Sequence, residues 1–349
     1  MRFVLHGEAL NGPDENLGHI DRLVDRVADE LHRVELPDAD QLQESRWYQG
    51  ARRIRQQLLT SAATAPVRRN RQHGLHAKSF EVRSPTDVQT AQKLAHTPLT
   101  IVVEDEEADG SMLNVFIEEL GSEEMRLLYR VGKAVSPRAI EYYNAGGVGS
   151  MPARIERLVS KACEEKRPVR AFVVCDGDQR WPGDTAFETA RDIASVRDVC
   201  ARYGIAVHVL AKRNAENYLP DTVFEALRDR RWNDDERRPF DALLRRTREQ
   251  RDHFPLRKGL KPKQRQIAIE QGLYRDSEMA DLQLLEASVL PSLPTVERQA
   301  GDASGKSKRH RPWKWLPEQH RDAFTAASLR ARDGRGEIDQ LLSAISEEL

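Results

Sequence analysis

Two closely spaced carboxylates follow a short apolar segment near the middle of the chain. Asp176 and Asp178 come directly after the five apolar residues 171–175, with Gly177 between them. An unbroken apolar run of this length is typical of a strand that is buried on both faces of a parallel sheet. Alternation along an extended chain directs the two carboxylates to the same side, where they repel each other unless a proton or a cation lies between them. The spacing therefore predicts a site for a hard cation such as Mg²⁺.

Two further acids stand at or beyond the ends of other apolar segments. Glu104 follows residues 99–103, and Glu216 lies six residues after the segment 205–210. The carboxyl ends of parallel strands share one edge of a sheet, which is where open α/β sheets bind their ligands. A glycine pair at 146–147 follows a further predicted strand, at 139–143, and permits a close approach of a ligand or of neighbouring backbone. Four carboxylates at one edge predict one or two magnesium ions and chemistry on phosphate esters.

The segments that position these acids alternate between strands and helices. Strands are predicted at 99–103, 139–143, 171–175 and 205–210. The helices between them include one that carries apolar side chains at helical spacing from Met112 to Leu120, and others at 151–166 and about 185–203. Repeated strand–helix units of this length predict an α/β fold with a four-stranded, parallel, Rossmann-like sheet flanked by helices.

The rest of the chain is predicted to be mainly helical. A strand is predicted at 2–6, and helices at 17–36, 47–59, 221–253, 262–289, 317–332 and 335–348. The expected organisation has four regions: a mostly helical region with a basic segment (1–97), the α/β unit (98–220), a helical region (221–292), and a flexible basic linker with C-terminal helices (293–349).

A basic segment extends from Arg46 to Arg83. It has nine lysine and arginine residues and a single acid, Glu81. One interpretation is a surface that contacts phosphates, and the other is a solvated helix and loop whose charge is balanced by acids elsewhere. The linker residues 306–314 mix basic and aromatic side chains, which suit nucleic acid and a disordered linker equally well.

Composition limits the classes of protein to be considered. The formal net charge of −1 shows that any binding of nucleic acid depends on local patches. No apolar run reaches the roughly 18–20 residues that cross a bilayer, and the first residues have too short an apolar stretch for a signal peptide. The three cysteines form no Cys-x-x-Cys pair, which is typical of reduced, buried thiols. We therefore expect a cytoplasmic protein with no membrane span.

The order of these motifs resembles a known domain. Glu104, the glycine pair 146–147 and Asp176-x-Asp178 are arranged as in the TOPRIM domain of topoisomerases, primases and several nucleases. The segment Arg213-x-x-Glu216-Asn-Tyr-Leu is similar to a stretch of the OLD-like TOPRIM nucleases of bacterial anti-phage defence systems. The resemblance covers about residues 98–220.

The resemblance implies an endonuclease that hydrolyses DNA with Mg²⁺ or Mn²⁺. It implies that Glu104, Asp176, Asp178 and Glu216 bind the metal, and that Lys212 or Arg213 neutralises charge on the scissile phosphate. The family usually has a glycine directly after the first glutamate and an acid four residues after that glutamate. This chain has Asp105 and Ala108 at those two positions. Either Glu107 or Asp109 fills the second acidic role.

The resemblance also bears on the partners of the chain. Many OLD-like nucleases join the TOPRIM domain to an ATPase, but no Gly-x-x-x-x-Gly-Lys-Ser/Thr motif occurs in this sequence. We therefore expect a separate ATPase subunit, docked by the N-terminal or C-terminal helices. Self-association into a homo-oligomer is a further expectation.

Other functions fit the same residues. The protein could be a ribonuclease or a phosphatase with Asp176 as nucleophile, or a non-catalytic module that binds nucleic acid or a partner. Each acid also has a structural interpretation. The acids at 104–109 favour a helix N-terminus, Asp176 and Asp178 would cap the following helix, and Glu216 would pair with Arg213.

Overall fold

A computed structural model describes most of the chain. The described residues are 1–28, 32–37, 39–64, 79–134, 136, 138–187, 189–230, 234–256, 259–280, 282 and 320–349. The strands are β1 (Arg2–Leu5), β2 (Arg33–Glu35), β3 (Ser79–Val82), β4 (Leu99–Val103), β5 (Ile140–Asn144), β6 (Ala171–Cys175) and β7 (Ala206–Val209). The helices up to β7 are α1 (Gly7–Leu10), α2 (Asp14–Ala28), α3 (Arg46–Gly50), α4 (Arg53–Thr64), α5 (Pro85–Ala95), α6 (Asp109–Leu120), α7 (Glu123–Ala134), α8 (Met151–Glu164) and α9 (Ala190–Tyr203). Those after it are α10 (Asp221–Asp229), α11 (Asp234–Leu244), α12 (Arg248–His253), α13 (Pro262–Glu270), α14 (Ala326–Asp333) and α15 (Glu337–Glu348).

The main sheet has four parallel strands in the order β5-β4-β6-β7. This confirms the α/β fold that the sequence predicts. Every residue of the two central strands, β4 and β6, is buried. Their side chains alternate between two cores, because neighbouring residues of a strand point to opposite faces. Ile101 and Phe172 pack with α6 and α15 on one face, and Val102 and Val173 pack with α8 and α9 on the other.

The N-terminal region contains a second sheet that the sequence analysis did not predict. Strand β1 lies between β2 and β3, and all three are parallel. The predicted helix 17–36 is therefore wrong in its second half, since α2 ends at Ala28 and β2 begins at Arg33. Val34 is buried beside Phe3, so pairing with β1 outweighs the continuation of the helix. A separate hydrophobic core joins this sheet to α2 and α5.

Several helix boundaries differ from the prediction. The predicted helix from about residue 185 begins at Ala190, because the buried carboxylate of Asp184 instead organises a turn by accepting hydrogen bonds from Arg180 and from the backbone N–H of Ala186. The predicted helix 221–253 is three helices, of which α12 begins at the N-cap Thr247 in a capping box with Gln250. Helix α7 was not predicted.

The C-terminal helices return to the main sheet. Helix α15 packs against α6 and β6, and its apolar residues belong to the same core as Phe172 and Tyr218. The linker part of the predicted region 293–349, with its basic residues 306–314, lies outside the described residues. Within the described part of the chain, no helix is both long enough and apolar enough to span a membrane.

Candidate active site

Three of the predicted acids lie together at the carboxyl edge of the main sheet. Glu104 follows β4, and Asp176 and Asp178 follow β6, whose residues 171–173 pair with residues 100–102 of β4. The backbone N–H of Asp176 donates a hydrogen bond to Oε1 of Glu104 over 3.1 Å. We call Glu104, Asp176 and Asp178 the carboxylate site. Adjacent parallel strands thus bring together residues that are 72 positions apart in the sequence.

Both aspartates accept hydrogen bonds from groups that carry no charge. Asn214 Nδ2 lies 2.8 Å from Oδ2 of Asp176 and 3.4 Å from Oδ1 of Asp178. The backbone N–H of Ala215 donates to Asp176 Oδ1 over 3.0 Å, and the hydroxyl of Thr189 donates to Asp178 Oδ2 over 2.9 Å. These dipoles offset part of the repulsion between the carboxylates. The pair of aspartates is therefore held in place by polar groups of the protein.

The donors come from two segments at the same edge. Thr189 is the N-cap of α9, and its hydroxyl is directed to Asp178 instead of to the backbone of its own helix. Asn214 and Ala215 belong to residues 210–218, which follow β7 and which we call the rim loop. The N-terminus of α9 adds the positive end of a helix dipole near Asp178. The site thus favours negative charge through backbone and amide dipoles.

Gly177 lets the rim loop approach the two aspartates. A Cβ atom on Gly177 would lie 2.2 Å from the carbonyl oxygen of Leu210 and 2.6 Å from that of Lys212. The N–H of Asp178 donates to the carbonyl of Arg213 over 2.8 Å, and Asp178 itself has a φ of +53°. Aspartate is one of the few residues that adopt this left-handed conformation readily. The close approach therefore requires glycine at position 177.

Arg213 and Lys212 have different surroundings. Arg213 is buried beside Asp178, and burial lowers the pKa of its guanidinium while the charge of Asp178 opposes that change. Lys212 is only 3% exposed, and its ammonium donates to Asp252 Oδ1 over 2.5 Å and to the carbonyl of Arg332 over 3.1 Å. Of the two cations that the resemblance implies, Arg213 is thus the one beside the carboxylates. Lys212 is occupied by a buried ion pair, which differs from the expectation.

The buried Lys212 leads to a prediction about pH. Burial, reinforced by the charge of Arg332, lowers the pKa of Lys212 from 10.5 to about 8 despite Asp252. Between about pH 8 and 10.5 the unfolded chain keeps a proton that the folded chain has lost, so this residue's contribution to the free energy of unfolding rises with pH. Relative to Lys212→Met, the wild type should gain stability across that window, by at most on the order of 3 kcal/mol. Urea unfolding at pH 7, 8.5 and 9.5 measures the difference.

The control for this prediction is Lys161→Met. The side chain of Lys161 is 67% exposed and pairs with its helical neighbour Glu165. Its difference from the wild type should stay constant with pH. Equal pH dependence of the two lysine variants would contradict the pKa assigned to Lys212.

The two candidates for the second acid, Glu107 and Asp109, differ in their surroundings. Asp109 is 6% exposed, and its Oδ2 accepts a hydrogen bond from the backbone N–H of Asp105 over 2.8 Å. Asp109 and Asp176 border the same small, mostly apolar cavity. Glu107 is exposed to solvent. Between the two candidates for the second acid, Asp109 is therefore the one that lies beside the carboxylate site.

Glu216 is buried in the rim loop. It is 3% exposed and lies in the 3-10 turn Ala215–Tyr218, directly after the residue whose N–H binds Asp176. At the opposite side of the edge, Gly146 and Gly147 have φ values of +76° and +119°, and the N–H of Gly146 donates to the carbonyl of Glu104. The acids and glycines that the sequence singled out thus lie on one edge of the sheet.

Two arginines in the described part of the basic segment are paired with acids of helix α2. Arg46 pairs with Asp14, and Arg55 bridges Asp21 and Asp25 of α2. These pairs favour the interpretation as a balanced, solvated surface for the two arginines. The basic residues at 68–71 and Lys78 lie outside the described residues.

The carboxylate oxygens of the carboxylate site are of the kind that Mg²⁺ prefers as ligands. Asp176 Oδ2 and Asp178 Oδ1 both lie within hydrogen-bonding distance of Asn214 Nδ2, so these two hard oxygen ligands lie near each other beside the same amide. Mg²⁺ is often bound by only one or two carboxylates and keeps several waters. Within the part of the chain that the structure describes, no three metal-binding side chains are grouped so that they could enclose an ion. The residues therefore fit an ion held mainly by the aspartate pair, with Glu104 adjacent.

Comparison with known proteins adds no relative. The chain matches no family model, no curated protein and no solved structure.

Proposed function

We propose that this chain is a metal-dependent TOPRIM-type endonuclease that hydrolyses DNA phosphodiester bonds. The observation that carries the proposal is the carboxylate site: three carboxylates from adjacent parallel strands, joined by the hydrogen bond from Asp176 to Glu104 and by the shared contact with Asn214. Hard oxygen ligands at the carboxyl edge of an α/β sheet are suited to a divalent cation and a phosphate ester.

Each residue has a role in this proposal. Asp176 and Asp178 would hold Mg²⁺ or Mn²⁺, with Glu104 beside them, and an ion bound there would supply Lewis-acid polarisation of the phosphate and a more acidic water. Asn214, Ala215 and Thr189 keep the two aspartates in place. Glu104 is less buried than Asp176 and is the residue we assign as base for the attacking water. Arg213 supplies positive charge beside Asp178.

The biological setting belongs to the same proposal. The resemblance to OLD-like nucleases supports a cytoplasmic role in anti-phage defence. Because no P-loop motif occurs in the sequence, we assign ATP hydrolysis to a separate partner subunit. We propose self-association of the chain on the resemblance alone.

The structure bears on one of the alternative functions. A phosphatase with Asp176 as nucleophile is less well supported, because that side chain is 5% exposed and both of its oxygens accept hydrogen bonds.

Incubation with nucleic acids tests the proposal. Supercoiled plasmid, single-stranded DNA, RNA and a small phosphate ester are each incubated with the wild-type protein and Mg²⁺ or Mn²⁺, and in parallel with a chelator. We expect metal-dependent nicking or linearisation of the plasmid. Cleavage of RNA alone would support the ribonuclease alternative, and cleavage of the small ester alone would support the phosphatase alternative. Binding of DNA without any cleavage would favour the non-catalytic module.

A further inference from the structure

The rim loop is supported from two sides. On one side, the N–H of Arg213 donates to the carbonyl of Asp252, and Asn217 Nδ2 donates to the carbonyls of Arg251 and Phe254 at the end of α12. On the other side, the loop contacts the C-terminal helices α14 and α15. The segment that holds Asp176 is therefore fixed by parts of the chain that lie well beyond the α/β unit in sequence.

Glu337 is the main contact from the C-terminal side. Its Oε1 accepts hydrogen bonds from the backbone N–H of Ala211 over 2.7 Å and from His208 Nε2 over 3.1 Å. Its Oε2 accepts a hydrogen bond from the hydroxyl of Tyr218. One carboxylate thus holds the last part of β7 and both ends of the rim loop.

The environment of Glu337 favours its charged form. Burial by itself would raise the pKa of this carboxyl, but the hydrogen bonds from His208, Tyr218 and Ala211 outweigh burial and leave the pKa below its ordinary value. Glu337 is also the first residue of α15, where the helix dipole favours a negative charge. Asp333, His208, Lys212 and Asp339 are further titratable groups in or around this cluster. The charged acceptor makes hydrogen bonds that are stronger than those of a neutral one.

We propose that Glu337 is a positioning residue for the carboxylate site, through which the C-terminal helix α15 sets the place of the rim loop. The contacts form a continuous path. Glu337 fixes Ala211 and Tyr218, and between them Asn214 and Ala215 hold Asp176. The site is thus complete only when α15 is docked. This inference rests on the proposed function for its effect on catalysis.

Variants at position 337 test the inference. In Glu337→Ala, three donors lose their acceptor, and we expect metal-dependent cleavage to fall roughly 10- to 100-fold, mainly in kcat, as for other residues that orient metal ligands. Glu337→Gln keeps an oxygen for Ala211 and should retain activity within about tenfold of the wild type. The matched control is Asp339→Asn on the same helix, whose side chain is half exposed and lies near Arg330. It should cleave like the wild type.

Hydrogen exchange gives a readout that does not depend on catalysis. The N–H of Ala215 donates to Asp176, so its exchange should be at least tenfold faster in Glu337→Ala and unchanged in Asp339→Asn. A folded Glu337→Ala protein with wild-type cleavage and wild-type exchange at Ala215 would overturn the inference. If the wild type cuts no nucleic acid, the proposed function fails, while the exchange at Ala215 still decides whether Glu337 positions the loop.

A second variant covers the case in which Glu337→Ala does not fold. Tyr218→Phe removes the hydroxyl that donates to Glu337 and accepts a long hydrogen bond from the backbone N–H of Lys212, and it keeps the ring in its core. We expect faster exchange at Ala215 and lower kcat in this variant also, and unchanged values of both would count against the inference.

Discussion

Asp178→Asn should reduce metal-dependent cleavage at least about a hundredfold while leaving the protein folded. A bound cation contributes several kcal/mol to transition-state stabilisation, and about 1.4 kcal/mol corresponds to a tenfold change in rate. Asparagine removes the charge but keeps the size of the side chain. It also adopts the left-handed conformation of position 178, and its oxygen can still accept the hydrogen bond from Thr189. The loss of the charge beside buried Arg213 costs stability and the weaker repulsion of Asp176 offsets part of that cost, so we expect the free energy of unfolding to fall by no more than about 1–2 kcal/mol.

The matched control for Asp178→Asn is Asp198→Asn. Asp198 is exposed on α9, the helix whose N-cap residue Thr189 binds Asp178. The substitution Asp198→Asn makes the same change in net charge but lies away from the carboxylate site. Cleavage of plasmid at saturating Mg²⁺ is measured for both variants, with urea unfolding as a check. A folded Asp178→Asn protein that cleaves as fast as Asp198→Asn would show that the carboxylate site is not catalytic.

Gly177→Ala should destabilise the protein by about 2–4 kcal/mol, the range of strongly overpacked sites. The added Cβ would lie 2.2 Å and 2.6 Å from two backbone carbonyl oxygens, and neither oxygen can move without shifting the rim loop. That shift would also disturb the hydrogen bonds from Asn214 and Ala215 to Asp176. Cleavage should therefore fall together with stability. Urea unfolding measures the loss of stability. Plasmid cleavage at urea concentrations below the unfolding transition measures the loss of activity.

Gly18→Ala is the control for this substitution. Gly18 lies in α2, and a Cβ there would meet no heavy atom within 4 Å. Alanine should stabilise that helix by roughly 0.5–1 kcal/mol, because glycine loses more conformational freedom on folding. If Gly177→Ala were as stable as the wild type, the close approach of the rim loop to β6 would be contradicted.

The sequence predicted the parts of the fold that depend on local patterns. The apolar runs at 99–103 and 171–175 are buried on both sides, and such runs identify central strands without any knowledge of their neighbours. Parallel pairing then places Glu104 beside Asp176. The short strand β2 was missed because its three residues carry little pattern, and only pairing with β1 defines it.

The parts of the site that were not predicted depend on the path of the chain after each strand. Lys212 and Arg213 are adjacent and both basic, and only the turn of the rim loop directs one to Asp252 and the other to Asp178. Thr189 gave no signal, because the helix predicted from about residue 185 placed it inside a helix, whereas α9 begins only at Ala190. Glu337 lies 161 residues after Asp176, and its role follows from the docking of α15. The contacts of these residues are determined by tertiary packing and not by their spacing in the sequence.

The most direct test of the central claim is a titration with Mn²⁺, followed by the electron paramagnetic resonance signal of the free ion. At neutral pH the wild type and Asp198→Asn should both remove Mn²⁺ from solution at a saturable site, and the double variant Asp176→Asn/Asp178→Asn should not. A wild-type protein that leaves the free Mn²⁺ signal unchanged, or a double variant that binds the ion like the wild type, would contradict a metal site at this edge of the sheet.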